Sequence, residues 1–243
     1  MHIFFNRKWW WTTLIVIAAV GVMIRLGLWQ LDRHYARQNF NARATFQLNQ
    51  PLFLLNAETL HGVAADMEYR PVTVDGEYDF TQQVALRNQQ WQGRLGVYLL
   101  TPLVIAGTDR AVLINRGWVA ADEKNWRKFD EAGKVEIRGT IRAAQTQPDF
   151  GGIPDPEGQL QFWNLINVER ISAQISRPML NTIYIQQTPP NGDQTSLPYR
   201  AKLNLDLSEG SHLGYAAQWF LFATVLAMGY PFFVRDTERR RGD

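Results

Sequence analysis

Six side chains in two short segments have the types and spacing that could hold a flat, amphiphilic metal cofactor. Those of the first segment are spaced i, i+4 and i+8, and those of the second i, i+3 and i+7, so each group shares one helix face. The residues are Arg25, Trp29 and Arg33 in the first segment, and His212, Tyr215 and Trp219 in the second. An imidazole can ligate haem iron, aromatic rings can stack on the macrocycle, and guanidinium groups can pair with propionates. We therefore predict a haem site with His212 as an axial ligand of the iron.

The same residue types also have a purely structural interpretation at a membrane surface. Trp, Tyr, His and Arg are all common at lipid interfaces, where they anchor helices or extend toward the headgroups. Arg25 fits this interpretation least well, because it lies inside an apolar run and must find an anion. A haem propionate would serve, and so would a lipid phosphate, so the sequence leaves both interpretations open.

Catalytic motifs are missing from the sequence. The chain has no cysteine, which excludes disulfides, iron–sulfur clusters, thiolate metal sites and thiolate nucleophiles. It also lacks the GxSxG, HExxH, GxxxxGK and GxGxxG patterns of hydrolases, metalloproteases and nucleotide-binding enzymes. We therefore expect a binding or assembly protein and not an enzyme.

Two apolar runs, one near each end of the chain, are long enough to cross a bilayer. The first begins WWWTTLIVIAAVGVMIRLGL, and we assign a membrane helix to residues 9–31. The second is uncharged from Leu213 to Val234, which assigns a membrane helix to 212–234 and a basic tail to 235–243. About 20 helical residues cover a hydrocarbon core of about 30 Å. A cleaved signal peptide is disfavoured, because the first run exits into LWQLDR and not into small residues.

Small residues predict that the two membrane helices pack on each other. Ala18 and Gly21 lie three apart in the first helix, and Ala223 and Ala227 lie four apart in the second. Small side chains on one face let helix backbones approach closely. In an antiparallel pair, the ends that adjoin the long central region lie at the same level, so the two candidate cofactor segments would meet.

The charge distribution predicts the orientation. Basic residues flank the outer ends of both apolar runs, and a connecting region as long as this one is not retained by its own charges. We therefore predict a two-pass protein in the lipid bilayer, with both termini cytoplasmic and an extracytoplasmic domain at 32–211. Between Asp32 and Glu209 there are 18 Lys and Arg against 20 Asp and Glu, so we expect no nucleic-acid partner.

The central region alternates between apolar and polar residues, which is typical of antiparallel strands. Strands are predicted in RPVTVDGEYDF, QVALRNQQW, GVYLLTPLVI, AVLINRGWV, VEIRGTIRA and NTIYIQQ. A helix is predicted over 162–175, and loops over 145–159 and 186–200. The predicted fold class is membrane α+β: two terminal transmembrane helices flank a β-rich, mostly antiparallel, barrel- or sandwich-like domain with at least one helix.

Six motifs in fixed order resemble the surfeit locus protein one family, and the resemblance runs nearly from end to end. They are GLWQLDR at 27–33, RPVTVDGEYDF at 70–80, GVYLLTPL at 96–103, INRGWV at 114–119, GTIR at 139–142 and HLGYAAQWF at 212–220. His212 stands where bacterial members have their proposed haem ligand, and Tyr215 matches the family's tyrosine. Gly76, Arg116, Gly117 and Trp118 also match, and we expect these four to be structural.

The resemblance implies a non-enzymatic assembly factor of haem–copper cytochrome c oxidase. Such a protein helps to deliver or insert haem a into oxidase subunit I, with haem a synthase as a further partner. Because no presequence precedes the first run, we expect a bacterial protein of the inner membrane with its main domain in the periplasm. Two alternatives stay open: a cofactor-free scaffold that stabilises oxidase subunit I, and an anchored binding module for another membrane enzyme.

Overall fold

The computed structural model describes residue 4 and residues 6–148 and 151–242, and the chain forms two compact units. The first unit comprises the two ends of the chain, up to Arg43 and from Asp206 onward. The second unit is Ala44–Leu205. Two terminal helices thus flank a central β-rich region, as the fold-class prediction required.

The described residues contain three α-helices and eight strands. The helices are α1 (Trp10–Leu48), α2 (Val168–Ala173) and α3 (His212–Gly242). The strands are β1 (Phe53–Leu55), β2 (Pro71–Tyr78), β3 (Val84–Trp91), β4 (Arg94–Ile105), β5 (Ala111–Ala120), β6 (Lys134–Ala143), β7 (Phe162–Trp163) and β8 (Met179–Gln187). Short 3₁₀ turns lie at Leu60–Gly62, Ala65–Met67, Phe80–Gln82 and Trp126–Phe129.

The helices α1 and α3 are long and apolar enough to cross a membrane. Most of their apolar side chains are exposed, including Ile17, Val22, Leu221 and Phe232. An isolated helix with apolar residues around most of its circumference is suited to hydrocarbon and not to water.

Helix α1 is longer than the first predicted segment. That segment ends at residue 31, whereas the helix continues to Leu48. The extension has a simple cause, since no Gly or Pro occurs between Gly27 and Pro51, and the intervening polar residues are compatible with a helix. Helix bounds do not mark where a bilayer ends, so the membrane segments at 9–31 and 212–234 stay predictions.

The second unit is built on a closed five-stranded barrel. Neighbouring strands pair in the order β2, β6, β8, β5 and β4, and a further pairing of β4 with β2 closes the ring. All of these pairings are antiparallel except β5 with β8. Outside the ring, β1 pairs with β2, β3 with β4, and β7 with β3. The barrel alternative of the prediction is therefore the correct one.

The barrel closes at Gly76, where β2 begins to pair with β4 on one side while it stays paired with β6 on the other. A Cβ atom at residue 76 would lie 2.2 Å from the carbonyl oxygen of Val104 and 2.9 Å from Cγ of Leu103. Only glycine allows the two backbones to approach this closely. The sequence-based expectation of a structural glycine at this position is confirmed.

Among the described residues, three apolar clusters stabilise the second unit, and two of them are large. The barrel interior is filled by aliphatic side chains such as Leu103, Ile114 and Ile185. A second cluster lies beneath α2, where Trp163 and Ile171 pack with residues of β4, β5 and β8. Because neighbouring residues of β5 join opposite clusters, this strand is buried on both faces.

All six predicted strands are present, and the helix predicted over 162–175 is present but shorter. Its first two residues form β7 and pair in parallel with β3. The helix itself is only Val168–Ala173, and it begins where the side chain of Asn167 accepts a hydrogen bond from the backbone amide of Arg170. The predicted loops at 145–159 and 186–200 contain no helix in their described parts. Their only strand residues there are the end of β8 and a bridge at Tyr199.

Candidate functional site

Helices α1 and α3 pack in an antiparallel pair along a face of small residues. Gly27, Ala216 and Ala223 are buried in this contact. A Cβ atom at residue 27 would lie 2.7 Å from Cε1 of Phe220, so glycine is needed for the aromatic ring to fit. The prediction that small residues mediate the contact is confirmed for Ala223.

Three of the four small residues predicted for this contact are not in it. Ala18, Gly21 and Ala227 are exposed. The prediction failed because spacing identifies a face only relative to a partner, and many small residues occur in each apolar run. The glycine that does contact the partner helix, Gly27, lies in the GLWQLDR motif.

Polar contacts join the start of α1 to the end of α3. The hydroxyls of Thr13 and Tyr230 lie 2.6 Å apart. Glu238 Oε1 accepts hydrogen bonds from Nζ of Lys8 at 2.7 Å and from Nε1 of Trp9 at 2.8 Å. Hydrogen bonds between helices fix their register where the surrounding side chains are apolar.

At the opposite end of the pair, the two candidate cofactor segments meet. His212 is the first residue of α3, and its Nδ1 lies 2.8 Å from Oε1 of Gln30 on α1. Because a carbonyl oxygen can only accept, Nδ1 is the donor in this hydrogen bond. His212 is half-buried, and its second nitrogen, Nε2, has no hydrogen-bond partner among the described residues.

The chain that leads into α3 is attached to α1 by polar side chains. Arg37 forms an ion pair with Asp206 at 2.8 Å and donates to the carbonyl oxygen of Ser208 at 2.9 Å. Asn41 donates to the carbonyl oxygen of Leu207 at 2.7 Å. The side-chain and backbone hydrogen bonds of Ser208, with a smaller contribution from Arg37, hold the pKa of Asp206 below its usual value. These contacts fix the approach to His212.

Tyr215 and Trp219 flank His212 on α3. The tyrosine ring is 49% exposed, and the indole is half-buried with its edge against Phe222 at a centroid distance of 6.3 Å. Both rings are therefore available beside the histidine as apolar surface. The structure gives neither of them a hydrogen bond to the imidazole among the described residues.

The arginine face of α1 lies to one side of the residue that contacts the histidine. At about 100° per residue, Arg33 lies roughly 60°, Trp29 roughly 100° and Arg25 roughly 140° around the helix from Gln30. All three side chains are exposed, and the guanidinium of Arg33 lies 5.6 Å from the centre of the Trp29 ring. The shared face that the spacing predicted exists, but the structure pairs His212 with Gln30 and not with these arginines.

Sequence reasoning missed two polar residues on the packed face of α1. Gln30 and His34 follow Gly27 at i+3 and i+7, the same spacing that groups His212, Tyr215 and Trp219 on α3. His34 is 7% exposed, and its Nδ1 has no hydrogen-bond partner. The signal that could have revealed both was their phase with Gly27, a glycine in an otherwise bulky stretch.

In the barrel unit, Arg116 is a structural residue, as the sequence predicted. It is the extra residue of a bulge between β4 and β5, and it is 1% exposed. Its guanidinium lies 4.8 Å from the ring centres of both Tyr78 and Phe80, and it pairs with Glu131 at 3.1 Å. Further hydrogen bonds reach Gln83 and the carbonyl oxygen of Phe129. Burial raises the pKa of Tyr78, and the nearby Arg116 charge opposes this effect.

The two residues after Arg116 also have structural roles. Gly117 has φ +124°, and a Cβ there would lie 2.7 Å from the carbonyl oxygen of Tyr199. Trp118 exchanges two backbone hydrogen bonds with Tyr199. The two rings are stacked, with a centroid distance of 6.2 Å and an angle of 3° between their planes. The predicted RGW turn is thus part of β5, because the bulge and the positive φ are accommodated within the strand.

A polar cavity of about 650 Å³ opens beside the barrel strands. Its lining includes Arg142, Tyr98 and Tyr184, and burial raises the pKa of both tyrosines. Arg142 is already engaged, since it contacts Glu68 at 3.2 Å and Gln186 at 2.8 Å. In the part of the chain that the structure describes, no group of three or more His, Asp or Glu could hold a metal ion.

Comparison with known proteins identifies the family to which the chain is similar. A family model described as the SURF1 family matches residues 17–224, which include most of α1, all of the barrel strands and the first part of α3. The chain belongs to the SURF1 family. The family resemblance identified from the six sequence motifs is confirmed.

Relatives in the SURF1 family cover nearly the whole chain. A SURF1-like protein of Monosiga brevicollis is 26% identical over 91% of this chain and 87% of its own length. Surfeit locus protein 1 of Homo sapiens is 25% identical over 87% of this chain and 74% of its own length. A SURF1-like protein of Rickettsia conorii is 25% identical over 88% of this chain and 87% of its own length. The sequence similarity thus extends over most of this chain in each of the three relatives.

Proposed function

We propose that this chain is an assembly factor of haem–copper cytochrome c oxidase that binds haem a and hands it to oxidase subunit I. Membership of the SURF1 family supports the assembly role. The observation that carries the haem proposal is the half-buried His212, whose Nδ1 is bound to Gln30 and whose Nε2 can donate to a metal. Haem a is cargo in this proposal, and the chain has no enzymatic step of its own.

The residues around His212 are suited to an amphiphilic macrocycle. An axial imidazole needs one ring nitrogen that is free for the metal, and Nε2 of His212 has no hydrogen-bond partner among the described residues. Tyr215 and Trp219 offer aromatic surface on the same helix. Bound haem a would supply redox-active iron to the oxidase, while His212 holds it by the metal until transfer.

The two arginines have different parts in this proposal. Arg33 lies beside the Gln30 face of α1 and is assigned to a haem propionate, because guanidinium groups pair well with carboxylates. Arg25 lies further round the helix, at the level of the apolar run. Of the two anions considered for it, a propionate and a lipid phosphate, this position favours the phosphate.

The proposed location is the inner membrane of a bacterium. Two apolar helices with exposed side chains support membrane insertion, and one of the relatives is bacterial. The basic residues at the outer ends of both helices support cytoplasmic termini and a periplasmic barrel domain. The barrel would then present its surface to oxidase subunit I and to haem a synthase.

The assembly role can be tested in a bacterium that makes haem a and lacks its own SURF1-family gene. We expect this chain to restore the haem a content of oxidase subunit I, and His212→Ala to restore less than a tenth of it. His61→Ala is the matched control, because His61 is an exposed histidine of the barrel unit and should restore fully. If neither the wild type nor either variant restores the haem a content, the assembly role is contradicted.

A cofactor-free scaffold for oxidase subunit I is the alternative. The contact that favours it is the same hydrogen bond, since Gln30 and His212 also join two helices. Under this alternative His212→Ala would lower the amount of subunit I, because packing is lost. Under the haem proposal, subunit I is present in His212→Ala cells but deficient in haem a.

A further inference from the structure

The hydrogen bond between Gln30 and His212 joins residues that are 182 positions apart in the chain. Its length of 2.8 Å lies at the short end of the range for N–H···O bonds. Both side chains are half-buried, so water competes with the bond less than it does at an open surface. The bond is therefore strong enough to hold the imidazole ring in one orientation.

The amide oxygen of Gln30 also favours one of the two tautomers of the neutral ring. In water, a neutral histidine carries its proton on either nitrogen, whereas an acceptor at Nδ1 places the proton there. The electron pair then lies on Nε2. A hydrogen bond at the distal nitrogen makes the coordinating nitrogen a better donor and fixes the ring for the metal.

The other edge of the ring is kept open by Gly210. This residue has φ +69°, a conformation that favours glycine. A Cβ at this position would lie 3.3 Å from Cδ2 and 3.6 Å from Nε2 of His212. Glycine thus leaves the space beside Nε2 free, while Gln30 occupies the side of Nδ1.

We infer that Gln30 is the positioning residue of the haem site, which holds His212 as the Nδ1-protonated tautomer and directs Nε2 to the metal. Gly210 contributes by leaving the Nε2 edge uncovered. The inference rests on the proposed function for its link to haem. Its statement about the histidine itself can be tested without haem.

The first test measures the tautomer in the haem-free protein. The full chain is labelled with ¹⁵N-histidine, purified in detergent micelles, and studied by NMR near neutral pH. The signals of His212 are those that disappear in His212→Ala. We expect the Nδ1-protonated form in the wild type and a shift toward the Nε2-protonated form in Gln30→Leu. An Nε2-protonated His212 in the wild type would overturn the inference, whatever the protein does with haem.

The second test measures haem ligation. We expect Gln30→Leu to lower haem affinity about 10- to 100-fold, and Gln30→Glu to retain it. Resonance Raman spectra of the ferrous form should show a higher iron–histidine stretching frequency in Gln30→Glu, because a carboxylate withdraws more of the proton. A merely structural role would not move this frequency.

Gln38→Leu is the matched control for both tests. Gln38 is also a glutamine of α1, and it contacts Glu209 at 3.4 Å but makes no contact with the histidine ring among the described residues. It should leave both the tautomer and the haem affinity unchanged. Equal effects of Gln30→Leu and Gln38→Leu would overturn the inference. Full haem binding by His212→Ala would instead overturn the proposed function.

Discussion

At the scale of single residues, the chain uses buried polar groups for two different purposes. His212 and Gln30 satisfy each other and leave one nitrogen free for a ligand. Arg116 is enclosed by its partners, and its contacts serve the barrel itself. A buried charge is tolerated when several acceptors surround it, which is the case for this guanidinium.

Arg116 gives a prediction about stability. We expect Arg116→Lys to lower the free energy of unfolding by about 2–4 kcal/mol, because one ammonium group cannot reach all of the acceptors and also pack against both rings. The measurement is chemical unfolding of the full chain in micelles, followed by tryptophan fluorescence. Arg138→Lys is the control, since Arg138 forms an exposed ion pair and should change stability by less than about 0.5 kcal/mol. Equal values for both variants would refute the structural role of Arg116.

The roles of some site residues could not be predicted from the sequence, because they depend on contacts between the two helices. His212, Tyr215 and Trp219 were found because their types are distinctive and because they begin a second apolar run. Gln30 was missed because an amide has no chemistry of its own, and its role appears only beside the ring that it contacts. Arg25 was assigned to the cofactor site from its helical spacing. Such spacing defines a helix face but does not identify the face that meets the partner helix.

At the scale of elements, the helix pair is defined by contacts at both ends. Thr13 meets Tyr230 where α1 begins and α3 ends, and Gln30 meets His212 where α3 begins. Gly27 and Ala223 allow close approach between these points. Register in an apolar environment depends on such polar contacts and on small residues more than on hydrophobicity.

Cysteine pairs can test this register, because the natural chain contains no cysteine. We expect a short bismaleimide to cross-link Thr13→Cys with Tyr230→Cys, and Gln30→Cys with His212→Cys, in isolated membranes. The mismatched pair, Thr13→Cys with His212→Cys, should stay unlinked because its members lie at opposite ends of the helices. Cross-linking is read as a mobility shift on denaturing gels after proteolysis between the helices. Efficient linking of the mismatched pair would show that the helices are not antiparallel in this register.

Sequence periodicity predicts the longer strands but not the shortest ones. β2 and β6 alternate between buried and more exposed residues, whereas β4 and β5 are buried along most of their length, and each of the six longer strands was predicted close to its observed bounds. β1 and β7 have three and two residues, which is too short for any period to appear. The apolar spacing of 162–175 looked helical, but pairing of Phe162 and Trp163 with β3 determines their conformation. Tertiary contacts outweigh local spacing in so short a segment.

At the scale of the whole molecule, the sequence predicted the order of parts but not the closure of the sheet. Two terminal helices and a β-rich middle follow from hydropathy and alternation alone. The choice between barrel and sandwich depends on the pairing of β2 with β4, two strands that are not neighbours in the chain. Gly76 makes that pairing possible, and its importance could be suspected from the sequence but not assigned to a partner strand.

The whole molecule thus combines a structural barrel with a helix pair that presents one free imidazole nitrogen. The proposed function requires this nitrogen to ligate haem a. The most direct measurement is the visible absorption spectrum of the full chain, purified in mild detergent from cells that make haem a.

We expect a Soret band in the wild type and in His61→Ala, and none in His212→Ala, with far-UV circular dichroism unchanged in all three. A colourless wild type in the presence of available haem a, or a full Soret band in a correctly folded His212→Ala protein, would contradict the account.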